Sequence, residues 1–139
     1  MSDLVVSYAS VPNLLIAWFP TVVERLSVPV SGRSISTDLP AGYKNLLPFV
    51  RVTRTGGPRA LGIDRARARF ETLASKYDDA ETIANELDSL IEFDLNNFTD
   101  GIGRVMLTKT YAAPRAAAWD DEQVTRFIAS YGITVGAQQ

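Results

Sequence analysis

The residues of this chain that could do chemistry fall into a few small groups. Gly56-Gly57-Pro58-Arg59 with Gly62 is glycine-rich, as phosphate-binding loops are. It lacks the Gly-Lys-Ser/Thr ending that sets a lysine on phosphate, and no helical pattern follows at once. Asp78-Asp79 and Asp120-Asp121-Glu122 carry carboxylates that can hold a divalent ion, but neither has calcium-loop spacing. The first reads better as a helix start and the second as a turn before the last strand. Arg51, Arg54, Arg59, Arg65, Arg67 and Arg69 could line a phosphate-tracking face. Only Phe49 and Phe70 lie close to them in sequence, so stacking partners for bases are scarce. Trp18-Phe19 reads as core in preference to a ligand shelf.

Composition removes most other chemistry. The 139 residues include no cysteine and no histidine. Thiolate nucleophiles, disulfides, zinc fingers, iron–sulfur clusters, serine–histidine triads and histidine general bases are therefore excluded. A carboxylate-only Mg²⁺ site or a carboxylate-pair hydrolase is the enzymatic chemistry left open. Apolar residues make up 46% and charged residues 22%, the balance of a folded globular chain. No apolar run approaches 18 residues, and Val11–Phe19 is preceded by Asp3 without a basic stretch, so neither a membrane span nor a signal peptide is expected. The length predicts a single domain over 1–139.

The elements that must position these groups can be read from periodicity. Residues 1–11 are expected to be a flexible arm, with a short extended piece at Leu4–Tyr8. Pro12–Leu26 has apolar residues at helical spacing, with Pro20 predicting a kink or a division into two short helices. Val28–Tyr43 reads as loop with a short strand near Arg33–Thr37. Leu47–Thr55 alternates as a strand, and Gly56–Gly62 turns. Asp64–Leu73 alternates again, with Arg65, Arg67, Arg69 and Glu71 on one face and Ala66, Ala68, Phe70 and Thr72 on the other. Asp78–Leu95 is a helix with the stripe Ala80, Ile83, Ala84, Leu87, Leu90, Ile91; Asp78 is the expected cap and Glu81 completes a capping box. Gly103–Ala112 is a strand, Ala113–Glu122 a loop and Val124–Val135 the last strand, with residues 136–139 fraying. The fold class predicted is α+β: a single twisted, mostly antiparallel β-sheet flanked by two or more α-helices.

Charge is divided along the chain. Between positions 44 and 76, eight lysines and arginines oppose only Asp64 and Glu71, a net of +6. Between 77 and 103, eight carboxylates meet no base, a net of −8. Glu92 and Asp94 sit near the C-terminus of the helix, against its dipole. A basic partner surface would offset that, either on the chain's own strands or on a neighbouring copy. For single residues the plainer reading is a solvated helix face and the wet side of a half-covered sheet. For the pattern as a whole, a basic edge that meets an acidic edge suits a head-to-tail assembly. The candidate subunit-interface residues are Arg51, Arg54, Arg59, Arg65, Arg67 and Arg69 against Glu81, Glu86, Asp88 and Glu92.

The chain resembles the tail terminator (tail completion) proteins of long-tailed, siphovirus-type bacteriophages. The resemblance rests on the N-terminal helix, on Leu47-Pro48-Phe49-Val50-Arg51-Val52 with Thr53-Arg54-Thr55-Gly56-Gly57, on the Asp64–Leu73 strand, on the Asp78–Leu95 helix and on the final paired strands. It spans most of residues 12–135; the triple Arg65, Arg67, Arg69 departs from it, since more apolar character is expected there. The resemblance implies a non-enzymatic structural protein without cofactor or metal. It implies a hexameric ring at the head-proximal end of the virion tail, assembled in the host cytoplasm. Its implied partners are copies of itself, the major tail tube protein and a head-side connector protein, with no membrane and no specific nucleic acid. A head–tail connector or neck protein is the nearest alternative, and a nucleic-acid-binding module a more distant one.

Overall fold

Ser10 opens the first helix, α1 (Val11–Val22), its Oγ accepting from the Asn13 N–H at 3.3 Å. Pro12 lies in the first turn, where a missing N–H costs nothing. Leu14, Leu15, Trp18, Phe19 and Val22 form the buried face, against the strands. The computed structural model describes residues 8–137. The division into two short helices, one of the two outcomes expected at Pro20, does not occur. The helix runs through Pro20, which is on its exposed side where water can serve the carbonyl that loses a partner, and tightens into a 3-10 turn at Val23–Arg25.

The strands form one mixed sheet in the order β1-β2-β4-β6-β5, with β3 paired to the start of β4. They are β1 (Ile35–Ser36), β2 (Phe49–Gly56), β3 (Arg59–Ala60), β4 (Ile63–Ala74), β5 (Gly103–Ala117) and β6 (Thr125–Ala137). Only β1 and β2 run parallel. The α+β fold expected from the sequence is thus observed, with α1 and α2 (Tyr77–Phe93) packed on the strands. Ala66, Ala68 and Phe70 of β4 join Ala129, Tyr131, Ile133 and Val135 of β6 and the stripes of both helices in one core. Trp18, Phe19 and Tyr131 are its largest members, each fully burying a side chain worth about 1.5–3 kcal/mol by apolar area.

Several boundaries differ from expectation. Lys76, not Asp78, holds the N-cap position of α2 and makes no side-chain cap bond; Asp78 and Asp79 lie inside the first turn, where they suit the dipole without capping. β5 continues through Pro114 to Ala117, because an edge strand can present proline on its unpaired side. Three register shifts between β5 and β6 accommodate the extra length. The tail expected to fray is in β6 as far as Ala137, and residues 138–139 lie outside the described residues. At the other end, Ala9 is buried and Val11 already helical, which corrects the second half of the expected arm. Residues 1–7, with most of the extended piece expected at Leu4–Tyr8, lie outside the described residues.

Candidate assembly surface

β4 decides which side chains the sheet offers outward. Its alternation sends Ala66, Ala68 and Phe70 to the helices and Arg65, Arg67, Arg69 and Glu71 to the opposite face. Neither α1 nor α2 covers that opposite face among the described residues. The 3-10 turn Tyr43–Leu46 and the segment around Trp119 lie over one end of it.

At that end Glu71 is completely buried, and three arginines converge on it. Arg51 faces Glu71 across the β2–β4 register and donates through Nε at 2.8 Å and Nη2 at 2.9 Å. Arg126 of β6 donates from Nη1 at 3.2 Å. Arg69 Nε lies 3.5 Å from the carboxylate, an ion pair without hydrogen-bond geometry. The carboxylate hydrogen bond raises the Arg51 pKa further above its ordinary value. Trp119 lies against the Arg51 and Arg126 guanidiniums and donates its indole N–H to the Tyr43 hydroxyl at 3.0 Å. Lys44 and Asp121 form an ion pair between the same two segments. Asp38 near Arg51 and Asp120 near Lys44 add negative charge around this cluster.

A second buried carboxylate, Asp64, accepts from Arg54 Nη2 at 2.8 Å and Arg59 Nε at 3.1 Å. These bonds hold the turn between β2 and β3. Gly57 is required there: its φ is +110°, and a Cβ would stand 2.1 Å from the Arg65 carbonyl oxygen.

The middle of the uncovered face is open. Arg65 is exposed and has no ion pair or hydrogen bond among the described residues through its side chain. Arg67 lies over the Tyr111 ring at 4.4 Å, with Lys109 Nζ at 5.3 Å from the same ring. Tyr111 itself rests on Gly132, where any Cβ would clash with the ring at 2.6 Å.

The acidic candidates occupy α2, on the other layer of the sandwich. Glu86 accepts from the Ser27 backbone N–H at 2.8 Å and from its hydroxyl at 2.5 Å. Asp88 accepts from the buried Tyr131 hydroxyl at 2.7 Å; burial, and then this bond, raise the pKa of that phenol. Asp94 takes an ion pair from Arg25 at 2.7 Å and a bond from Trp18 Nε1 at 3.2 Å, which relieves the mismatch with the helix dipole. Glu81 and Glu92 have no such partner among the described residues, and Glu92 is exposed.

The structure therefore divides the expected interface set. Arg51, Arg54, Arg59, Glu86 and Asp88 have partners within the chain, and Arg69 is shared with Glu71. Arg65 and Arg67 on the sheet layer and Glu92 on the helix layer are exposed, and Glu81 on the helix layer is half-buried. Sequence reasoning missed Arg126, Trp119 and Tyr111; the alternation of the last strand was the available signal for Arg126. No group of three potential ligands is placed to hold a metal among the described residues, and no helix there is long and apolar enough to cross a membrane. Comparison with known families and with curated proteins gives no match for the chain.

Proposed function

We propose that this chain is a structural subunit that assembles head to tail with copies of itself. The observation that carries this reading is the placement of charge without an ion pair on both layers: Arg65 and Arg67 exposed on the uncovered sheet face, Glu92 exposed and Glu81 half-buried on α2. Within one chain none of these four residues forms an ion pair among the described residues, although Glu92 and Lys109 border one depression at the β5 edge. A second copy can supply the partner, and a heterologous contact of that kind closes into a ring when the rotation fits.

Joined to the resemblance in the sequence, the particular role is that of a phage tail terminator. The ring caps the last ring of the tail tube, removes the site for the next tube subunit and offers its other side to the head connector. Binding alone does this work. The test is assembly: purified chain added to growing tail tubes should halt elongation and appear as a cap in negative-stain images. Tubes that keep growing at saturating chain would reject the role.

One observation favours a second reading. Arg67, Tyr111 and Lys109 make a basic face with two cations against one aromatic ring, which suits a nucleic-acid strand. A binding titration against salt separates the two, since phosphate contacts give a steep loss of affinity with added salt.

A further inference from the structure

At the β3–β4 end of the uncovered face a groove of about 520 Å³ opens between Leu61, Ile63, Arg104, Met106 and the end of β6. Its apolar wall is held outward at a cost. Leu61 is 98% exposed and has φ +54°, a backbone region that leucine rarely adopts. The register shift between Val105 and Leu107 leaves Met106 and Leu107 exposed side by side, at 45% and 60%. An exposed leucine on strained backbone beside an exposed methionine marks a surface shaped for contact.

The complementary piece is on the helix layer. α2 ends at Phe93, which is 78% exposed, directly after Glu92. The groove has an apolar wall of Leu61, Ile63 and Met106 with a base, Arg104, on its rim; the helix end is an apolar knob with an acid beside it. An aromatic anchor in an apolar pocket, bordered by opposite charge, is the arrangement of a binding hot spot. We propose that the groove of one copy receives Phe93 of the next, with Glu92 set against Arg104. This rests on the head-to-tail reading above and names the contact that makes it. The β5 edge is a poor competitor for the same role, since Pro114 and three register shifts blunt it against strand addition.

The absence of cysteine gives a clean test. Phe93→Cys and Met106→Cys are introduced singly and together in the full chain and treated with a short bismaleimide under conditions where wild-type mass is followed by sedimentation. The double variant should give a ladder that continues past the dimer, a mixture of the two single variants should give only the dimer, and neither single variant should cross-link alone. A Phe93→Cys chain that links to itself would show a symmetric contact and overturn the proposal. Rings of the double variant by sedimentation without any ladder would overturn this contact and leave the ring reading standing. Wild-type chain that stays monomeric at every concentration would remove both. As a second readout, Glu92→Arg and Arg104→Glu should each lower the sedimenting mass to that of the monomer, and the two together should restore it.

Discussion

Arg51 and Glu71 stand opposite each other in adjacent strands and share two near-parallel hydrogen bonds, at 2.8 and 2.9 Å, on a carboxylate with no exposure to solvent. Arg69 of β4 lies against the carboxylate oxygen that Arg51 Nε reaches, and Arg126 of β6 bonds the other one. Together Arg51 and Arg126 tie β2, β4 and β6 on the face that α1 and α2 do not reach. Removal of the anion should be costly, because three guanidiniums are left to repel one another. Glu71→Ala is expected to lose about 3 kcal/mol in urea unfolding, the low end for a broken buried pair, since each arginine keeps some exposure and can rehydrate. Arg51→Met should lose only about 1 kcal/mol, because two cations still serve the carboxylate. The reverse order of the two losses would refute this assignment.

The turn between β2 and β3 offers a sharper comparison. Gly57→Ala places a methyl 2.1 Å from the Arg65 carbonyl oxygen at φ +110°, and should cost about 3 kcal/mol or more. Gly62→Ala, at φ +78° with nothing within 4 Å, should cost only about 1 kcal/mol. Thermal unfolding of the two variants side by side measures the difference, and equal losses would mean that the close approach at Gly57 is wrong.

The segments over Glu71 should respond to acid. The Asp121 pKa is lowered, first by its hydrogen bond with Lys44 and then by the Gln123 backbone N–H. A depressed carboxylate contributes stability above its unfolded pKa and loses it as pH falls through the folded value. The Lys44–Asp121 tie is thus expected to be intact at neutral pH and to open below the usual carboxylate range. Trp119, bonded to Tyr43 in the same layer, reports this by fluorescence, while Trp18 stays buried. The acid change should move to higher pH or vanish in Lys44→Ala; an identical titration in that variant would sink the explanation.

Much of this fold is legible in local sequence. The α2 stripe from Ala80 to Ile91 and the inward set from Phe127 to Val135 are buried as their spacing requires. The outward turn of Arg65, Arg67 and Arg69 follows from the alternation of β4 alone. Glu71 could not be placed the same way. It belongs by periodicity to the wet face, and only the pairing of β4 with β2 and β6 brings Arg51 and Arg126 to it across 20 and 55 residues. Arg25 and Asp94, 69 residues apart, meet for the same non-local reason. Pro20 does not divide its helix and Pro114 does not end its strand, because local breakers are tolerated where one side of the element faces water or has no neighbouring strand.

The charge-reversed variant Arg65→Glu/Arg67→Glu, compared with wild type by sedimentation at ordinary salt, tests the central claim most directly. Neither arginine has an ion pair among the described residues, so the fold should survive, with circular dichroism unchanged. Wild type should sediment as a closed ring and the variant as a monomer. Rings of undiminished mass in the variant, or a wild-type chain that stays monomeric at high concentration, would contradict that claim.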